Sequence, residues 1–147
     1  MEKQSNNIRI HHARILSMTK DTSDGSSDLP VIHGEIHICN DKITYVGDPR
    51  FAPSADWDRE IDADGNIIMP GFKNAHTHSG MTFLRSYADD LPLQNWLYDK
   101  VFPLEALLTP EDIYWCSRLA IMEYLTSGIT ANFDMYQKTD AIVRASV

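Results

Sequence analysis

The sequence predicts an α/β protein, with a strand-rich N-terminal piece over residues 1–68 and strand–helix alternation over residues 69–147. Two local patterns and the composition carry this prediction. Residues 32–39 alternate between apolar and polar side chains with the period of two expected of a strand. From Met69 onward, short apolar runs bounded by Gly and Pro alternate with a segment that has a complete helix start signal. A chain of 147 residues with 43% hydrophobic and 23% charged residues can bury a real core, and that composition excludes a disordered chain.

The elements follow in order. Ile8-Arg9-Ile10 opens a strand that continues through Ala13-Arg14-Ile15-Leu16. Thr19 to Asp28 is too polar to bury apolar surface and reads as a loop. In the next strand Ile32, Gly34, Ile36 and Ile38 share one face, and His33, Glu35, His37 and Cys39 share the other. The Asn40-Asp41 pair turns the chain, so residues 32–46 form a hairpin closed by Gly47-Asp48-Pro49. Asp64-Gly65 signals a second hairpin, between Trp57–Ile61 and Asn66–Met69.

In the second piece, Phe72–His78 suits a strand leaving the Pro70-Gly71 turn, and Pro92–Val101 suits a short helix ended by Pro103. Thr109-Pro110-Glu111-Asp112 starts a longer helix: Thr109 caps, Pro110 takes the first helical position, and Asp112 holds the reciprocal capping place. This helix runs to about Leu125, with Gly128 as its terminator. Its apolar residues cover most of its circumference, which predicts packing on more than one side. Ile129–Phe133 reads as a second buried strand and Thr139 onward as a further helix, so the strands are expected to be parallel.

Charge and cysteine content narrow the partners. Thirteen Lys and Arg against 21 Asp and Glu give a net charge of −8, which disfavours nucleic acid and anionic membrane surfaces. Cys39 and Cys116 stand far apart and form no CxxC, so neither a disulfide framework nor a Cys-rich zinc site is expected. The first ten residues lack the apolar core of a signal peptide, and a cytoplasmic location is the expectation.

The sharpest chemical feature is His76-Thr77-His78. Residues two apart on a strand project to one face with Cα atoms roughly 6.6 Å apart, so both imidazoles can converge on one metal ion. At the C-terminal end of a strand they stand where α/β folds build their sites. Elsewhere, His33 and His37 share a face with Glu35 between them, and His11-His12 precede them. Four residues of extended chain separate the first pair by about 13 Å, too far to share an ion, so this histidine cluster is expected on a solvated sheet face. The adjacent Asp89-Asp90 cannot point at one group and suits a turn, and Asp134 suits a structural role at a strand end. Trp96 reads equally as a pocket wall and as a packing residue. No H-x-E with P-C-x-x-C, G-x-G-x-x-G or P-loop pattern occurs.

Pro70-Gly71-Phe72-Lys73-Asn74-Ala75-His76-Thr77-His78 follows the PGFxNxHTH pattern with which the amidohydrolase superfamily opens its barrel. Residues 81–93, Trp96-Leu97, Phe102-Pro103-Leu104-Glu105, and Ser127-Gly128-Ile129-Thr130 with Phe133-Asp134-Met135-Tyr136 extend the likeness over about residues 67–136. This stretch resembles the 5-methylthioadenosine/S-adenosylhomocysteine deaminases and the neighbouring chlorohydrolase-type aminohydrolases. The N-terminal hairpins resemble the small β-sandwich that such enzymes carry beside the barrel.

The resemblance implies part of a β-sandwich (1–68) followed by the first strands and helices of an incomplete (β/α)8 TIM-type barrel (69–147), since a closed barrel takes about 250 residues. It also implies one divalent metal ion, zinc or alternatively iron, held partly by His76 and His78. Glu105 matches the glutamate that accepts hydrogen bonds from ribose hydroxyls, as a carboxylate can take two donors at once. The implied reaction is hydrolytic deamination of a small purine nucleoside by a parent enzyme that is commonly a homo-oligomer, with guanine deaminase or triazine hydrolase chemistry as the neighbouring alternatives. A catalytic zinc needs three or more protein ligands, and no histidine follows His78. The chain is therefore expected to be the N-terminal part of a longer enzyme, inactive by itself and with no catalytic acid or base of its own, or else a non-catalytic remnant.

Overall fold

The computed structural model describes residues 6–19 and 30–147, so most of the polar stretch from Thr19 to Asp28 lies outside the described residues. The chain divides into two compact units, the first ending at Pro70 and the second starting at Gly71.

The first unit is a mixed five-stranded sheet. It comprises β1 (Asn7–Leu16), β2 (Val31–Cys39), β3 (Lys42–Gly47), β4 (Arg59–Asp62) and β5 (Ile67–Ile68). The order is β3-β2-β1-β4, with β5 also on β1. β1, β2 and β3 pair antiparallel, and Asn40 turns the β2–β3 hairpin at φ 59°. The apolar face of β2 is buried as the alternation requires: Ile36 packs with Ala13, Ile15 and Ala63, flanked by Ile10, Ile32, Ile38 and Ile68.

Two sequence expectations fail here. Asp64-Gly65 makes a turn but not a hairpin, because β4 and β5 both run parallel to β1 and pair with it rather than with each other.

The polar face of β2 is also not a solvated one. Glu35 and His37 are each only 2% exposed, although His33 is exposed. Arg9 of β1 donates to Glu35 Oε2 through Nε (3.0 Å) and Nη2 (2.6 Å), and His37 Nε2 lies 2.7 Å from Glu35 Oε1. The rings of Trp57 (4.3 Å) and Tyr45 (5.1 Å) then cover His37. Both polar side chains are tolerated inside because each has a charged or hydrogen-bonding partner.

Burial alone would raise the Glu35 carboxyl, but hydrogen bonds from Arg9 and His37 outweigh it and hold the group below its ordinary value of 4.5. A carboxyl depressed by folding contributes stability above its unfolded value and loses it as pH falls through the folded one. The urea midpoint of the chain should therefore fall in acid below the ordinary carboxylate range. Glu35→Ala should cost about 2–3 kcal/mol at neutral pH by stranding buried His37 and part of Arg9, and should flatten that acid limb. Equilibrium urea unfolding at several pH values tests both.

In the second unit, β6 (Phe72–Thr77) and β7 (Ile129–Asp134) pair in parallel, joined through all the intervening helices. A 3-10 turn (Ser79–Leu84) follows β6. The next helical segment is α1 (Leu93–Asn95), a π-turn (Trp96–Val101) and α2 (Phe102–Glu105). Pro103 therefore does not end this helix. The N–H of Phe102 reaches back five residues to Leu97, and this wide turn lets the chain continue past a proline that has no N–H to give.

α3 (Pro110–Thr126) starts with the capping box read from the sequence: Asp112 N donates to Thr109 Oγ1 (3.2 Å) and Thr109 N donates to Asp112 Oδ2 (2.8 Å). Thr109→Ala should lower stability by about 1 kcal/mol, read as a drop in thermal midpoint. Gly128 follows the helix at φ +76°, which its lack of a Cβ permits.

α3 packs Ile113, Ser117 and Ala120 inward, and Ile113 meets Ala141 and Ile142 of α4 (Thr139–Ser146). Of its other apolar residues, Trp115, Leu119, Met122 and Leu125 are exposed, while Cys116 and Ile121 are half-buried. β7 is a strand as expected but not a buried one, with Phe133 67% exposed. Both cysteines are free. Among the described residues no helix is long and apolar enough to cross a membrane.

Candidate active site

The site grows from the C-terminal end of β6. Strand alternation turns Thr77 inward, where its hydroxyl pairs with that of Tyr124 on α3. His76 and His78 leave on the other side, with ring centroids 4.9 Å apart and planes at 86°. The Tyr124 hydroxyl also meets Ser79 Oγ at 2.9 Å, so α3 anchors the chain on both sides of His78.

The ring of His78 is itself fixed. Its Nδ1 lies 2.9 Å from the carbonyl of Met135, just past β7. A carbonyl only accepts, so Nδ1 carries a proton, and in the neutral imidazole Nε2 then keeps its lone pair. A hydrogen bond from the far ring nitrogen to a carbonyl is what orients a metal-ligating imidazole. β7 also supplies Asp134, whose Oδ2 accepts from Ser79 N at 3.1 Å while its buried Oδ1 has no partner. One carboxylate oxygen thus ties the turn after β6, and the other is left facing no donor.

His78 opens onto a cleft of about 360 Å³ that Glu105, Trp96, Phe102, Met135 and Tyr136 also line. The volume falls within the range of small-molecule sites, and the walls are largely aromatic and apolar with a few polar groups, as such sites are. The structure thus brings His78, Glu105 and Trp96 into one cleft and sets His76 beside His78. Asp89 and Asp90 are exposed, in a turn where Asp90 takes a positive φ of 63°.

Tyr136 is the residue that sequence reasoning did not weigh. Its hydroxyl is buried without a hydrogen-bond partner. Burial first, and the nearby Glu105 carboxylate second, push its phenol well above the ordinary value, so it stays a neutral donor. Its position leans on Gly80: a Cβ there would come 2.4 Å from the Tyr136 ring.

The donor set suits a divalent metal in chemistry and tautomer, although His76 and His78 are two ligands where a catalytic zinc takes three or more.

The amidohydrolase family model matches residues 67–146, more than half of the chain. A 5-methylthioadenosine/S-adenosylhomocysteine deaminase of Desulforamulus reducens is 45% identical over 141 residues, covering 95% of this chain and 31% of that protein. The chain spans between 20% and 31% of the length of such curated relatives. Among solved structures, an adenosine deaminase from Xanthomonas campestris with bound zinc superposes at a TM-score of 0.80, with 29% identity over 95% of this chain and 31% of that one. Escherichia coli guanine deaminase shares the fold at a TM-score of 0.71 and 24% identity, over 96% of this chain and 34% of that one. With the family pattern matched across both strands that frame His78, the chain belongs to the amidohydrolase family.

Proposed function

We propose that these residues form the opening section of a metal-dependent aminohydrolase that removes the amino group of an adenosine-type nucleoside of the 5′-methylthioadenosine/S-adenosylhomocysteine class, releasing ammonia. The observation that carries the reading is the His78 ring held by Met135 through Nδ1, with the His76 ring 4.9 Å away and Glu105 lining the same cleft as His78. His76 and His78 would hold a divalent ion, zinc by preference and iron as the alternative, and such an ion would make water acidic enough to act as a nucleophile at neutral pH.

The chain's own residues do the positioning. His76 and His78 supply two imidazole ligands, and Glu105 accepts the ribose hydroxyls. Trp96 and Phe102 shield the purine side of the cleft from water, and Tyr136 offers a neutral O–H to an acceptor on the substrate. Glu105 favours a nucleoside over a bare base or a triazine, neither of which has vicinal hydroxyls to give it. The net charge of −8 makes nucleic acid and anionic membranes poor partners, and we place the enzyme in the cytoplasm.

The apolar faces left open support a barrel context. Parallel strands are ordinarily covered on both faces, yet Phe72 and Phe133 are 57% and 67% exposed. The bare side of α3 is of the same kind. Further βα units of a barrel would cover them and would bring the remaining metal ligands and the acid/base residue. The first test is a chimera in which residues 1–147 replace the matching part of the Desulforamulus reducens deaminase. It should bind zinc and release ammonia from 5′-methylthioadenosine or S-adenosylhomocysteine, while the 147-residue chain alone should release none. A folded, zinc-loaded chimera without turnover on either nucleoside would sink the reading.

A further inference from the structure

We propose a second divalent-metal site, in the first unit, formed by His11, His12 and Asp62. Adjacent residues on a regular strand point to opposite faces, so His11 and His12 should not meet on one ligand. β1, however, shifts register between Ile10 and Ala13, and within that bulge His12 takes a φ of 52°. A bulge re-aims side chains in this way. The two rings consequently meet edge to face, with centroids 4.5 Å apart.

Their Nδ1 atoms lie 3.1 Å apart, and Asp62 Oδ1 lies 3.1 Å from that of His12 and 3.9 Å from that of His11. A point equidistant from these three atoms lies about 2.0 Å from each, which is the Zn–N and Zn–O bond length. Three lone-pair donors thus surround a space of one ion's size. Without an ion, two nitrogens and a carboxylate oxygen can share at most the protons that lie between them. A divalent cation would take all three lone pairs at once.

The scaffold holds this arrangement through its backbone. Ala63 N donates to His11 O (2.9 Å), Gly65 N to His12 O (2.8 Å) and Arg14 N to Asn66 O (3.0 Å), which locks the bulge to the loop after β4. Asp64 N donates to Asp62 Oδ1 (2.9 Å) and fixes the carboxylate. The His12 and Asp62 side chains are 71% and 55% exposed, so an ion has a direct entry path and room for water at its remaining positions. Two imidazoles and one carboxylate suit zinc, or nickel and copper, rather than magnesium or calcium. The site is independent of His76 and His78, and either can fail without the other.

The test is zinc titration of the tag-free full chain by calorimetry and equilibrium dialysis. It starts from a variant carrying both His76→Ala and His78→Ala, which empties the other histidine pair. This variant should still take up one zinc per chain, with a zinc-dependent rise in thermal midpoint and shifts confined to the ring nitrogens of His11 and His12. Adding His12→Gly, which accepts the positive φ, should abolish that uptake. Asp62→Asn keeps the acceptor for Asp64 N and should weaken uptake beyond the roughly tenfold to hundredfold typical of removing a mere supporting partner. The proposal fails if the double variant takes up no zinc, or if its uptake is unchanged by Asp62→Asn. Should His12→Gly not fold, Asp62→Asn and the nitrogen shifts decide.

Discussion

Replacing His78 by Ala in the chimeric deaminase should lower kcat/KM by about a thousandfold or more. Loss of a ligand that positions the ion forfeits several kcal/mol of charge stabilisation in the transition state, and each 1.36 kcal/mol is a factor of ten. The loss should fall on kcat and should be matched by a loss of bound zinc. His78 also has a structural task, since its Nδ1–H closes a 2.9 Å hydrogen bond to the Met135 carbonyl. His78→Asn separates the two roles. An asparagine amide can still donate toward that carbonyl, but it brings no imidazole lone pair. If His78 served only to pin the turn after β6 to β7, Asn would restore activity. As a metal ligand, Asn should be as inactive as Ala while the chimera keeps its fold and melting temperature.

How much of this was readable from the sequence depends on how far apart the interacting residues lie along the chain. Period-two alternation is local, so it located β2 and put His76, near the end of β6, and His78, just past it, on one side with Thr77 on the other. The Thr109–Asp112 capping box spans four residues and was equally legible. What covers a polar face is not local. Glu35 and His37 read as solvated because their partners, Arg9 and Trp57, are 26 and 20 residues away, and nothing in the alternation reports that a guanidinium and an indole fold over them.

The same distinction explains the two turns that were misread. Asp64-Gly65 does turn the chain, but strand pairing was decided by β1, which takes both β4 and β5 as parallel neighbours. Pro103 does lack a donor, but the π-turn before it absorbs the mismatch. Within the site, the Met135 carbonyl stands 57 residues from His78 and the Tyr124 hydroxyl 45 from Ser79. Long-range polar contacts of this kind orient the His78 ring and the turn after β6. They carry no periodic signature. His11 and His12 are the converse case, adjacent in sequence and excluded from convergence by regular strand geometry, until a bulge with one positive φ brought them together.

Glu105→Gln in the chimera should reduce kcat/KM on the ribonucleoside by about 10–100-fold, mainly through KM. A hydrogen bond to a charged acceptor is worth about 1.5–3 kcal/mol, and glutamine keeps one neutral acceptor while losing the charge and one oxygen. The decisive comparison uses the 2′,3′-dideoxy analogue, which has no hydroxyls to donate. The unsubstituted chimera should turn the analogue over poorly, and Glu105→Gln should barely change that rate, because the interaction is already absent. Equal losses on both substrates would instead mean that Glu105 acts by shaping the cleft. An internal control comes from Tyr136, whose phenol is raised by burial and by the Glu105 charge. Removing that charge should shift the alkaline tyrosinate transition of Tyr136 downward without restoring it to its ordinary value, since the larger contribution, burial, remains. A Tyr136 transition that moved while both substrates lost equally would place Glu105 inside the cleft and remove it from ribose recognition.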